Sequence, residues 1–156
     1  MESLNNNIVI RLGDITDLET IIANNVEMTL ETENKKLSQS TIRNGVEEVL
    51  NHSDQGWYYL SEIDGKNAGQ LRITREWSDW RNGYFWWIQS VFVQKDYRQK
   101  AVYSFLHKHV LERAKKIGAV GLRLYVDNQN KNIRKIYEHL GMKNSNYLFY
   151  EDDWSE

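Results

Sequence analysis

Between Val91 and Tyr103 an apolar, strand-like run passes through Arg98-Gln99-Lys100-Ala101-Val102-Tyr103 into a helix. The first backbone N–H groups of a helix lack internal partners, and its dipole adds partial positive charge at the same end. A strand-to-turn-to-helix junction is therefore an anion site able to seat a diphosphate. Arg98 and Lys100 add formal positive charge there. Many α/β proteins carry a basic junction of this kind and bind nothing at it, so the turn alone names no ligand. A second segment repeats the plan. Leu122 to Val126 reads as a strand and Asp127-Asn128-Gln129-Asn130 as a turn. Ile133, Ile136, Tyr137 and Leu140 then follow at helical spacing, closed by Gly141-Met142.

Together the two segments resemble the GNAT family of N-acetyltransferases. That family has a phosphate loop of the form Gln/Arg-x-x-Gly-x-Gly/Ala, and a later helix carrying Asn-x-x-Ala-x-x-x-Tyr that ends in Gly-Phe or Gly-Met. Here the loop is Arg98 to Tyr103 and the helix runs from Asn130 to Tyr137, with Gly141-Met142 behind it. The match extends over nearly the whole chain in element order. Three positions depart from the pattern. Ala101 and Tyr103 stand where the loop glycines occur, and Ile133 replaces the alanine. Glycine lets backbone approach a pyrophosphate without an intervening Cβ, so Ala101 is expected to cost cofactor affinity.

The resemblance implies acetyl-CoA as cosubstrate and the primary amine of a small molecule or peptide as acceptor. It places Arg98, Gln99, Lys100, Ala101, Val102, Tyr103 and Asn130 on the cofactor, with backbone near Phe92 and Val93 holding the pantetheine arm where two parallel strands splay. Acetyl transfer from a thioester to an amine needs a neutral amine, donors for the oxyanion and a proton source for the leaving thiolate. Tyr137 suits the last task, because a phenol of reference pKa about 10 is protonated at neutral pH and can donate to a thiolate whose thiol lies near 8.5. The same tyrosine fits a packing role on the apolar face of its helix. Glu27, Glu31, Glu33, Glu76 and Asp79 are the carboxylates open to base duty, with Glu31 and Glu76 foremost. Gln89 lies where many relatives place a glutamate, and an amide cannot accept the proton. Trp77, Trp80 and Asp79, flanking a charged loop, are candidates for an acceptor pocket, while the other tryptophans of the meander suit strand packing. Absence of cysteine and of a Gly-x-Ser-x-Gly elbow disfavours a covalent acyl-enzyme, leaving direct transfer in a ternary complex. A non-catalytic acyl-CoA or ligand-binding protein on the same fold is the alternative. Ala101 and Gln89 favour it, whereas Arg98, Asn130 and Tyr137 favour the enzyme.

Other classes find little support. With 20 Lys+Arg against 22 Asp+Glu the chain lacks the basic surplus of a nucleic-acid binder. His107 and His109 lie two apart on a helix and His52 and His139 are isolated, so no metal set emerges. Zero cysteine fits a reducing, cytoplasmic setting, and no apolar run exceeds strand length, so neither a signal peptide nor a membrane span is expected. The family resemblance makes a homodimer through exposed strands a common assembly, with the oligomeric state left open.

These residues need a frame of 156 residues in one domain, 1–156, since 40% hydrophobic content supports a single sizeable core. Ile8 to Leu12 reads as a strand, and Asp14 or Thr16 caps a helix through Leu18, Ile21, Ile22 and Val26. Leu30 to Lys36 reads as a polar, acidic loop. Ser38 or Ser40 caps a second helix through Ile42, Val46, Val49 and Leu50. Trp57 to Ile63, Ala68 to Thr74 and Tyr84 to Val93 form an antiparallel meander, and a helix from Ala101 is stopped by Gly118. Tyr147 to Glu151 supplies a last strand. The order βααβββαβαβ predicts an α/β fold with a mixed sheet flanked by helices, in which the Tyr84 and Leu122 strands run parallel.

Overall fold

Three long strands build the centre of the sheet. The computed structural model describes residues 7–155. Strands β1 (Ile8–Leu12), β2 (Trp57–Ile63), β3 (Lys66–Ser78), β4 (Gly83–Val93) and β5 (Gly121–Arg123) lie in the order β1-β2-β3-β4-β5. All neighbours are antiparallel except β4 and β5, which run parallel, as the β4-helix-β5 connection requires. The chain divides into two compact units, Met1–Leu124 and Tyr125–Glu156.

In the first unit the two faces of the sheet are covered by different helices. Helices α1 (Leu18–Glu33) and α2 (Gln39–Asn51) cover the face that carries Tyr58 and Leu60, packing them with Ile21, Ile22 and Val46 into a dry core. Full burial of such a side chain contributes roughly 1.5–3 kcal/mol. Helix α3 (Val102–Ile117) covers the opposite face. Its buried Val102, Leu106, Val110 and Ala114 recur every four residues, one stripe of the helix, and His109 meets the ring of Tyr59 edge-on at 5.1 Å. Ser38 caps α2 by accepting from the Thr41 N–H, and Gly118 ends α3 in the left-handed conformation. Gly56 precedes β2 at φ 106°, where a Cβ would lie 2.2 Å from the Ile73 carbonyl oxygen, so only glycine fits.

Three expectations are corrected. The segment read as an acidic loop from Leu30 is the last turn of α1, which continues to Glu33 and ends on Asn34 in the left-handed conformation. Asparagine tolerates that backbone and serves as the stop that glycine usually provides. The strand read over Leu122 to Val126 is Gly121–Arg123, because only those residues find partners, at Phe85 to Trp87 of β4. Tyr147 to Glu151 is not a strand. Its side chains are exposed and no ladder contains it, and a strand without a hydrogen-bonded neighbour does not form. The observed order is therefore βααβββαβα.

A bulge in β4 sets the geometry of the ligand end of the sheet. Gln70 pairs with Phe92 and Arg72 with Gln89, so Ser90 and Val91 together oppose Leu71. Ser90 takes a left-handed backbone, φ 51°. The extra residue reverses the alternation, and Phe92 joins Gln89 and Trp87 on the α1 face.

Candidate active site

The turn between β4 and α3 is built to leave donors open. The Gln94 N–H bonds to the Ala68 carbonyl and closes the strand, a single 3-10 turn follows at Lys95–Tyr97, and Arg98 is extended. Gln99 and Ala101 then both adopt left-handed φ of 61°, with Lys100 between them. Ala101 occupies the N-cap of α3 and offers no capping side chain, so the N–H groups at the head of a 16-residue helix are left to an outside acceptor. Successive N–H groups in a turn that mixes left- and right-handed residues can form an anion nest. Gln99, Lys100 and Ala101 are exposed, whereas Val102 is buried beneath them as an anchor. The Tyr103 side chain is also buried, its hydroxyl 3.1 Å from Nδ1 of His107, so this residue presents backbone rather than its ring to the turn.

Arg98 is held at three points. Its Nε donates to the Val93 carbonyl at 2.9 Å, its Nη2 donates to Oε2 of Glu31 at 2.7 Å, and its guanidinium lies 5.6 Å from the ring centre of buried Phe92. The extra turn of α1 makes the second contact, since it carries Glu31 to the β4 end of the sheet. Lys95 lies 3.5 Å from Glu27 and 3.7 Å from Glu31. The Val93 carbonyl, expected to face a ligand, is thus engaged by Arg98, and the parallel ladder with β5 stops at Trp87.

The polar residues on the α1 face of β3 and β4 are mutually tied. Gln89 accepts from Arg72 and donates to the Thr74 hydroxyl at 2.8 Å, which fixes its amide. Glu76 accepts from Arg123 at 2.5 Å and from the Trp87 indole at 3.4 Å. Trp80 and Asp79 are at the tip of the β3–β4 hairpin, Trp80 being 84% exposed, with the Asp79 carboxylate capping the Trp80 N–H. Trp77 lies instead within β3, edge-on to Tyr84 at 4.9 Å. Glu33 is exposed at the end of α1. The structure thus brings Glu31, Arg98, Phe92 and Val93 together and separates Glu76 from Glu31.

Below the turn lies an amide network that the sequence did not announce. Asn24 donates to Gln70 at 2.9 Å and to Asn67 at 3.1 Å, Gln70 donates to Asn25 at 3.1 Å and to the Ser90 carbonyl at 3.3 Å, and Gln94 donates to Asn24 at 2.7 Å. Asn24, Asn25 and Gln70 are buried. The network fastens α1 to the bulge and to the strand end from which the turn departs. Gln70, a polar residue within the strand segment Ala68 to Ile73, carries no local sign of these partners.

In the second unit, α4 (Lys131–His139) begins at Asn130, whose Oδ1 accepts from the Ile133 N–H at 3.2 Å. Tyr137 is half-buried on α4, and burial pushes its phenol above the usual value of 10.0, which keeps it protonated at neutral pH. Among the described residues no cluster of three or more metal-ligating side chains occurs, and no helix is long and apolar enough to cross a membrane.

The sequence model of the acetyltransferase (GNAT) family matches residues 22–142. The chain belongs to that family. Its five-stranded mixed sheet and flanking helices are the GNAT arrangement. Among solved structures, a "possible acetyltransferase" from Clostridium difficile 630 is 38% identical, with 96% of this chain and 99% of that one aligned at a TM-score of 0.89. Two more distant structures share the fold. A ribosomal-protein-alanine N-acetyltransferase from Brucella melitensis biovar Abortus 2308 is 14% identical (95% and 99% covered, TM-score 0.78). An aminoglycoside acetyltransferase from an uncultured soil metagenomic sample is 12% identical (97% and 100% covered, TM-score 0.77). Proteins of this family generally use acetyl-CoA as cosubstrate, and the uncapped head of α3 offers N–H donors of the kind that suit a phosphate.

Proposed function

We propose that this GNAT protein is an N-acetyltransferase that moves an acetyl group from acetyl-CoA to a primary amine of a small molecule or peptide, by direct transfer in a ternary complex. The observation that carries the proposal is the α3 N-terminus, without a side-chain cap and preceded by left-handed Gln99 and Ala101. Acetyl-CoA supplies the acyl group activated as a thioester. Backbone N–H groups of the turn, with Lys100 and Arg98, hold its diphosphate, and backbone near Phe92 and Val93 borders the pantetheine arm. Asn130 belongs to the same set of cofactor residues.

When the amine nitrogen bonds to the acyl carbon, the C–S bond breaks and the thiolate needs a proton. We assign that donation to Tyr137, whose burial keeps the phenol neutral. The amine must lose a proton in the same reaction. Both foremost carboxylates are ion-paired, Glu31 with Arg98 and Lys95 beside the phosphate turn and Glu76 with Arg123, so we assign proton removal to Glu76, which lies away from that turn and would act through water. A non-catalytic acyl-CoA binder has one observation in its favour, the locking of Gln89 by Arg72 and Thr74 where a base would stand.

Amine-dependent release of free CoA thiol from acetyl-CoA, followed across a panel of small amines and peptides, tests the proposal. Turnover with at least one amine is expected, and Tyr137→Phe should lower kcat by about a hundredfold or more with little change in KM for acetyl-CoA, the size typical of a lost general acid. Acetyl-CoA binding without turnover on any amine would support the binding-protein alternative.

A further inference from the structure

At the opposite end of the first unit's sheet lies a cavity that the proposed reaction does not use. We propose that this cavity is a second ligand site, for an organic anion with a flat aromatic body. It measures about 550 Å³ and lies between the C-terminal half of α3 and the amino end of β4. Volumes of a few hundred to a thousand Å³ are those of small-molecule sites. Trp57, Trp77, Tyr84 and Trp86 form its walls, and Arg75 and Arg113 bring two positive charges. Among the described residues no aspartate or glutamate lines it.

The walls are already set for a flat guest. Trp57 meets Trp86 edge-on at 4.9 Å, and Trp77 meets Tyr84 edge-on at the same distance. The Arg75 guanidinium lies 4.5 Å from the Tyr84 ring centre and 5.9 Å from that of Trp57. Stacking between rings covers the faces of a guanidinium and leaves its edge N–H groups for a planar acceptor, the geometry that favours a carboxylate. Among the described residues neither Arg75 nor Arg113 has a carboxylate within ion-pair distance, whereas Arg11, Arg43, Arg98 and Arg123 each have at least one. Two cations without anions, set among aromatic surfaces, select a ligand that is anionic at one end and aromatic at the other.

Position separates this cavity from the acyl-CoA turn. Arg113 is twelve positions after Ala101 along α3, about 18 Å at helical rise. The turn is at the carboxyl end of β4, while Gly83 and Tyr84, in the cavity wall, begin that strand.

Calorimetric titration of the whole protein with naphthoate, with neutral naphthalenemethanol and with inorganic phosphate decides the matter. Saturable naphthoate binding is expected. The neutral analogue and phosphate should bind at least about tenfold more weakly, and Arg75→Gln and Arg113→Gln should each weaken naphthoate by a similar factor, the worth of a charge-assisted hydrogen bond. Both variants should bind acetyl-CoA as the parent does, and Arg98→Ala should leave naphthoate binding unchanged. Arg113 is exposed on α3, so Arg113→Gln carries the test even if Arg75→Gln fails to fold. Absence of saturable binding at millimolar naphthoate overturns the proposal. So does equal affinity for the neutral compound or for phosphate, or loss of naphthoate binding in Arg98→Ala.

Discussion

Ala101 holds a backbone conformation, φ 61° and ψ 20°, that costs an L-residue roughly 1–2 kcal/mol and costs glycine almost nothing. The turn carries that strain in the folded state. Ala101→Gly relieves that strain but gives the unfolded chain more freedom, so the net gain should be about 0.5–1 kcal/mol in thermal or urea denaturation. The same change removes a methyl from the concavity, and acetyl-CoA should bind more tightly. Ala101→Val should do the reverse on both counts, because a β-branched side chain opposes left-handed φ. Glu31 makes a different prediction. It restrains Arg98 beside the turn but also competes with a phosphate for the same guanidinium. If restraint dominates, as three-point anchoring of Arg98 suggests, Glu31→Gln should raise KM for acetyl-CoA severalfold and leave the acceptor KM unchanged; steady-state kinetics with each substrate varied in turn separates the two. None of this pairing was legible in the sequence, because Glu31 and Arg98 are 67 residues apart and neither carries a local sign of the other.

Elements with a local cause were legible and those with a distant cause were not. The strands of the meander were read close to where they lie, α2 followed from Ser38 and the stop of α3 from Gly118. The end of α1 was misplaced because Asn34, not glycine or proline, stops it. The bulge at Ser90 and Val91 was hidden because its cause lies across the sheet and beneath it, where Gln70 donates to the Ser90 carbonyl. The 147–151 segment has strand composition but lacks a partner strand, and partnering is not written in a segment's own residues. If the buried amides fix the bulge, Gln70→Leu should destabilise by about 2–3 kcal/mol, since it leaves the Asn25 side-chain carbonyl and the Ser90 carbonyl without their donor. The expected signature is a lower urea midpoint with an unchanged m-value. A neutral result would mean that the network is not what holds α1 to β4.

For the molecule as a whole, net charge of −2 means that its positive sites are local arrangements and not an overall field. Stability should respond to pH through buried His107 and partly buried His109 of α3. Burial lowers the pKa of His107 below its ordinary 6.5, and burial first, then Arg113, lowers that of His109. The unfolded chain then takes up protons at a higher pH than the folded one. Stability should be flat above the unfolded value and fall as pH drops from about 6.5 toward the folded values. The thermal midpoint should decline between about pH 7 and 5, with a shallower slope in His107→Gln. The central claim, that the head of α3 seats the diphosphate of acetyl-CoA, is tested most directly by calorimetric titration of the protein with acetyl-CoA and with free CoA. Micromolar binding of both, weakened about tenfold or more by Arg98→Ala or Lys100→Ala, is the predicted result. Absence of binding at millimolar acetyl-CoA, or binding indifferent to both substitutions, would contradict it.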